Sequence, residues 1–274
     1  MNRLKTQFGE FCERGEACFI PFITVGYPDL ETSCDLVLEF ERRGAGVVEL
    51  GVPFSDPIAD GVVIQRASEA SLKKGTTLVD VLDLVRNLRS KSSIPLVLLT
   101  YYNPVYKYGI RRFVENAVEA GVDGVIVPDL PPEEAGVLKR EAEGRLNTIF
   151  LLAPTSTEER IRLIVQFSTG FVYYVSLTGI TGIRERLASA ILPHIEKIRR
   201  FTNLPIGVGF GISNPEQAAE VASFADGVIV GSAIVDLISK NEGDSELVHK
   251  VGEFASSLIA GMKQGVRKEE MNRA

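Results

Sequence analysis

The chain has 274 residues, 45% of them hydrophobic and 24% charged, an ordinary composition for a folded globular protein that excludes a disordered chain, a collagen and a disulfide scaffold. Thirty Lys plus Arg against 36 Asp plus Glu leave a formal charge of −6, which argues against a nucleic-acid or membrane-surface partner while allowing a local basic pocket. No apolar run reaches membrane-spanning length, and the start, MNRLKTQFGEFCERGE, lacks the apolar core of a signal peptide, so a cytoplasmic protein is expected.

From the N-terminus, a short amphipathic segment comes first, placed to cap one end of whatever follows. Then apolar, β-branched runs alternate with longer runs of helical period. The strands read as Ala17–Val25, Val47–Val52, Leu96–Tyr101, Gly124–Pro128, Thr148–Ala153, Phe171–Ser176, Ile206–Phe210 and Val228–Val230. The helices between and after them read as Leu30–Arg43, Leu78–Leu88, Ile110–Ala120, Pro132–Glu141, Glu158–Phe167, Arg184–Phe201, Pro215–Ser223 and Glu246–Met262. The strands are near-continuous apolar runs, as in a parallel sheet covered on both faces. Eight βα units predict a (β/α)8 TIM barrel with an extra N-terminal helix. An open doubly wound sheet is the alternative, but the GxGxxG turn after the first strand is absent. No linker divides the chain, so residues 1–274 are read as a single barrel domain. The tail after Lys263 is polar and is expected to fray.

Function in such a barrel sits at the C-terminal ends of the strands. Glu49 is a lone carboxyl inside the apolar second strand. Burial should raise its pKa, as a general acid requires; a buried Arg or Lys partner is the equal alternative. The long loop PFSDPIADG follows. In it Asp60 is either a functional carboxylate or the N-cap of the next helix, and Asp56 is more readily a turn residue. The sixth strand carries Tyr173, a barrel-filling aromatic or an active-site hydroxyl. It leads into Leu177-Thr178-Gly179-Ile180-Thr181-Gly182, either a glycine-hinged lid or an ordinary βα loop. The seventh strand runs into GFGIS and the eighth into GSA. Gly182, Gly211, Gly231 and Ser232 suit a phosphate, because glycine lets backbone N–H groups approach the oxygens.

Absences narrow the chemistry. No lysine lies in a strand, against a Schiff-base aldolase. The two histidines, His194 and His249, have no neighbour at metal-ligand spacing, so no metal site is expected. Cys12, Cys18 and Cys34 read as small buried hydrophobes in a reducing compartment. Carboxyl acid–base chemistry on a small phosphorylated molecule remains.

These segments also carry a family resemblance. ELGVPFSDPIADG (Glu49–Gly61), SLTGITG, GFGIS and GSA, with PFITVGYPD (Pro21–Asp29) and PDLPPEE (Pro128–Glu134), resemble the α subunit family of tryptophan synthase, the indole-3-glycerol-phosphate lyases, from the first helix to about Met262. The resemblance implies retro-aldol cleavage of indole-3-glycerol phosphate to indole and glyceraldehyde 3-phosphate. It implies Glu49 as proton donor and then base, Asp60 as the partner of the indole nitrogen, and Tyr173 as an active-site tyrosine. Phe22, Leu99 and Tyr101 would wall the indole, Thr181 would meet Asp60 from the lid, and Gly182, Gly211, Gly231 and Ser232 would hold phosphate. No cofactor is implied in this chain; pyridoxal phosphate is implied in a partner β subunit, within an α2β2 assembly. One departure is that Val62-Val63 follows ADG where the family commonly has Pro-Thr. Another phosphate-binding barrel lyase or isomerase, and a binding subunit with little activity of its own, are the competing readings.

Overall fold

The computed structural model describes residues 2–175, 187–209 and 211–264. Its elements are, in order, α1 (Arg3–Glu13), β1 (Cys18–Thr24), α2 (Leu30–Arg43), β2 (Val48–Gly51), α3 (Val62–Lys73), α4 (Leu78–Arg89) and β3 (Leu96–Leu99). Next come α5 (Tyr102–Tyr108), α6 (Ile110–Ala120), β4 (Gly124–Ile126), α7 (Gly136–Ala142), β5 (Asn147–Ile149) and β6 (Leu151–Leu152). The chain continues through α8 (Glu158–Phe167), β7 (Val172–Val175), α9 (Leu187–Arg199), β8 (Ile206–Gly209), α10 (Pro215–Ala222), β9 (Gly227–Val230), α11 (Ser232–Lys240) and α12 (Leu247–Gln264).

All strand pairs are parallel, in the order β5-β4-β3-β2-β1-β9-β8-β7-β6. The two ends of that order are one run of chain, because only Phe150 separates β5 from β6. Tyr173 N–H donates to the Phe150 carbonyl at 3.1 Å, so the interruption is local and the sheet closes on itself. The result is the expected barrel, with the expected strand Thr148–Ala153 appearing as two short pieces.

Strand alternation sorts the apolar residues into two shells. Cys18, Ile20, Val97, Ile126, Ile149, Phe171 and Ile229 point inward and form one cluster with Leu4, Phe8 and Phe11 of α1. Phe19, Ile23, Val48, Leu50, Leu96 and Leu98 point outward, into the cluster shared with the helices. This double burial is why the strands carry no polar alternation. The first helix therefore plugs the barrel bottom. Asp123 pins it there, accepting from Arg3 at 2.9 Å, from Arg89 at 2.8 Å and from Leu96 N–H at 2.9 Å.

The helix count corrects the sequence expectation. Among the described residues α5 and α11 are added to the eight following helices and the first one, while α3 is the helix expected after Asp60. The buried positions of α3 are Ala67, Ser68 and Ser71, which leave almost no hydrophobic signal. The two added helices are seven and nine residues long, too short for a period to stand out. Helix α7 begins at Gly136, because a turn occupies the residues after Pro131. Cys12 is exposed while Cys18 and Cys34 are buried, so the reading of three buried cysteines holds for two.

Candidate active site

Glu49 lies in β2 between Phe22 of β1 and Val97 of β3, facing the barrel interior. It is fully buried, and neither carboxyl oxygen has a hydrogen-bond partner among the described residues. The alternative of a buried cationic partner is thus not realised among them. Water is a far better solvent for the carboxylate than this apolar wall, and desolvation pushes the Glu49 pKa up to about 8.

Asp60 ends the turn that follows β2, its N–H donating to the Pro57 carbonyl at 3.0 Å. The N-cap of α3 is Gly61, with no side-chain cap, so the Asp60 carboxylate does not serve the helix. It accepts instead from the Tyr101 hydroxyl, which itself accepts from Ala59 N–H at 3.0 Å. Partial burial raises the Asp60 pKa to about 6, and the Tyr101 bond opposes that rise without cancelling it. The family resemblance gives Tyr101 only as an apolar wall. Its ring does stack on Phe54, with centroids 5.2 Å apart, but its hydroxyl also ties down the loop that carries Asp60. Nothing in the sequence pairs Tyr101 with a residue 41 positions earlier. Asp56 is exposed and accepts from Ser55 Oγ at 2.6 Å, the turn role expected for it.

Tyr173 faces the interior from β7. Burial raises its hydroxyl pKa, and the charges of Glu49 and Asp60 raise it further. Glycine makes room for it: a Cβ on Gly209 would lie 2.6 Å from the Tyr173 hydroxyl oxygen. Gly51 does the same for Phe22, where a Cβ would lie 2.5 Å from Cζ. The Phe22 ring also passes under Gly231, whose added Cβ would sit at 3.4 Å from Cδ1. Leu99 is half-buried at the interior end of β3.

Gly231 is the N-cap of α11 and Ser232 its exposed first residue. Gly211 follows β8, and a Cβ there would meet nothing within 4 Å. The two glycine turns leave adjacent strands, since β8 pairs with β9. Thr181 and Gly182 lie outside the described residues, as does Phe210. Among the described residues no group of three or more His, Cys, Asp or Glu side chains is placed to hold a metal, and no helix is long and apolar enough to cross a membrane.

A closed parallel barrel with two carboxyls of raised pKa at its C-terminal mouth places the molecule among the TIM-barrel proteins whose site lies at that mouth. Comparison with known proteins makes this specific. The family model described as tryptophan synthase alpha chain matches residues 8–265. A tryptophan synthase alpha chain of Geotalea uraniireducens is 52% identical over 264 residues, 96% of this chain and 98% of its own. One from Thermoanaerobacter sp. is 46% identical over 259 residues, 94% of this chain and 98% of its own. The crystal structure of the Legionella pneumophila subunit alpha superposes with a TM-score of 0.89 at 39% identity, covering 96% of this chain and 99% of that one. The chain belongs to the tryptophan synthase alpha chain family. It is a lyase, and its reaction is the cleavage of indole-3-glycerol phosphate in tryptophan biosynthesis.

Proposed function

We propose that Glu49 and Asp60 carry this reaction by general acid–base catalysis. The protonated Glu49 carboxyl donates to the indole ring carbon that bears the glycerol chain. The ring nitrogen becomes positive, and the Asp60 carboxylate stabilises it. Glu49, now ionised, takes the proton of the adjacent chain hydroxyl. As that O–H bond breaks, the carbonyl of glyceraldehyde 3-phosphate forms, the carbon–carbon bond breaks, and its electron pair returns to the ring. Indole leaves neutral and Glu49 is protonated again, so one residue serves as both acid and base. Tyr173 lines the site between the two carboxyls. Gly211, Gly231 and Ser232, with Gly182, hold the phosphate, and Phe22, Leu99 and Tyr101 wall the indole.

The observation that carries this reading is the unpartnered, fully buried Glu49, which holds its proton at neutral pH. The test is indole release from indole-3-glycerol phosphate by the isolated chain. Glu49→Gln preserves shape and removes the proton, so kcat should fall by on the order of 100-fold or more, with substrate binding retained. Near wild-type turnover in that variant would overturn the assignment.

The chain works in the cytoplasm beside a pyridoxal-phosphate-dependent β subunit that consumes the indole, in an α2β2 assembly. Its docking surface is the loop carrying Asp56, Pro57 and the exposed Ile58. These readings rest on family membership and on two large apolar side chains open to solvent beside the site, Ile58 and Val62.

A further inference from the structure

Among the described residues, Thr24 and Tyr174 share with Glu49 a buried polar group that has no partner; Tyr174 faces the helices and Thr24 the barrel interior. Thr24 is 2% exposed, and its hydroxyl has no hydrogen-bond partner among the described residues. A buried hydroxyl left unpaired costs free energy, so its retention calls for an occupant that is polar. Thr24 is the last residue of β1 and pairs in register with Gly51 of β2. It alternates in phase with Cys18 and Ile20, both in the interior cluster, and so faces the interior one pleat above Phe22.

Strand order says what passes over it. The phosphate turns leave β8 and β9, Glu49 stands on β2, and β1 lies between β9 and β2. A substrate with its phosphate at one and its reacting carbon at the other must lay its glycerol chain across the end of β1. The distance is two strand spacings, roughly 10 Å, which the chain and the inward-reaching Glu49 side chain share. The Phe22 ring, touching the positions of Gly51 and Gly231, forms an apolar floor along that path. Thr24 is the polar group above it.

We propose that the Thr24 hydroxyl binds the middle-carbon hydroxyl of the glycerol chain. The hydroxyl next to the indole must face Glu49, which takes its proton, and the middle one is left for β1. The assignment rests on the proposed function above. A hydroxyl that is unchanged in the reaction contributes equally to ground and transition states, so its loss should appear in KM.

The experiment compares wild type, Thr24→Val and Thr24→Ser, measuring cleavage of indole-3-glycerol phosphate and the affinity for indole-3-propyl phosphate, which lacks both chain hydroxyls. We expect Thr24→Val to fold with an unchanged or higher Tm, because it removes an unpaired buried hydroxyl. Its KM should rise about tenfold with kcat within about twofold, and its affinity for the propyl analogue should equal that of wild type. Thr24→Ser should keep most of the wild-type KM. Unchanged KM in Thr24→Val, a loss confined to kcat, or a parallel loss of analogue affinity would each overturn the assignment. If the analogue binds Gly211→Val as tightly as wild type, the phosphate is not at the β8 and β9 turns, and the underlying reading falls together with this one.

Discussion

At the scale of single residues, one physical effect suits two carboxyls to the opposite duties proposed for them. Desolvation raises both pKa values, to about 8 for Glu49 and about 6 for Asp60. Between these values Glu49 is protonated and can donate, while Asp60 is ionised and can stabilise a cation. The profile of kcat/KM against pH should therefore be bell-shaped. Its acid limb, near 6, reports ionisation of Asp60, and its alkaline limb, near 8, reports loss of the Glu49 proton. Asp60→Asn should lower kcat and kcat/KM together and abolish the limb near 6; a rise in KM alone would make Asp60 a binding residue. Glu49 also weighs on stability. Its folded pKa lies above the usual 4.5, so the unfolded chain releases a proton that the folded chain keeps. The folded state then loses roughly 1.4 kcal/mol for each pH unit between those two values. Denaturant unfolding should find Glu49→Gln increasingly more stable than wild type as pH rises from about 4.5 to about 8, and the gap constant above that.

At the scale of elements, the two ends of the barrel have different tasks. The bottom is held by α1 and by Asp123, which binds two arginines and a strand N–H. Arg89 is largely buried, and burial lowers its pKa while the Asp123 charge opposes that. Removing Asp123 leaves an uncompensated buried cation, so Asp123→Ala should cost about 3–5 kcal/mol in denaturant unfolding. Since that network lies at the far end from Glu49, the variant's remaining folded fraction should cleave substrate at the wild-type kcat. The top is built from short turns into helices. Gly211 has open space where a Cβ would go, so Gly211→Val should leave Tm near wild type. Its branched side chain would occupy the approach to the backbone, and affinity for glyceraldehyde 3-phosphate by calorimetry should fall about tenfold or more. Unchanged affinity would move the phosphate elsewhere.

For the whole molecule, the loop that carries Asp60 is also an exposed one. Ile58 is 82% and Val62 60% exposed, within four residues of each other and on either side of Asp60. Large apolar side chains left open to solvent on one loop mark an interaction site. A partner seated there would press on the turn that the Tyr101 hydroxyl holds, which links docking to the position of Asp60. Ile58→Asp should weaken titrated affinity for a β subunit by about tenfold or more, through desolvation of the new carboxylate. Equal affinity for the variant and wild type would place the partner on another face.

How much of this was legible in the chain follows from what each signal depends on. Strands buried on both faces must be apolar throughout, and that run, repeated with helical stretches between, determined the barrel and the position of its mouth. Glu49 was legible because a carboxyl stands out inside VVELGV, and the glycine turns because few other residues let backbone approach an anion. Helices α5 and α11 were not, since short lengths erase the period. The sequence left Glu49 equally open to a cationic partner and Asp60 to helix capping. Only the tertiary structure separated these, by leaving Glu49 unpaired among the described residues and by giving the cap to Gly61. The Tyr101 contact and the unpaired Thr24 hydroxyl were likewise decided in three dimensions. Residue type and spacing report what a side chain can do, but desolvation and hydrogen bonding depend on which distant strands and loops close around it.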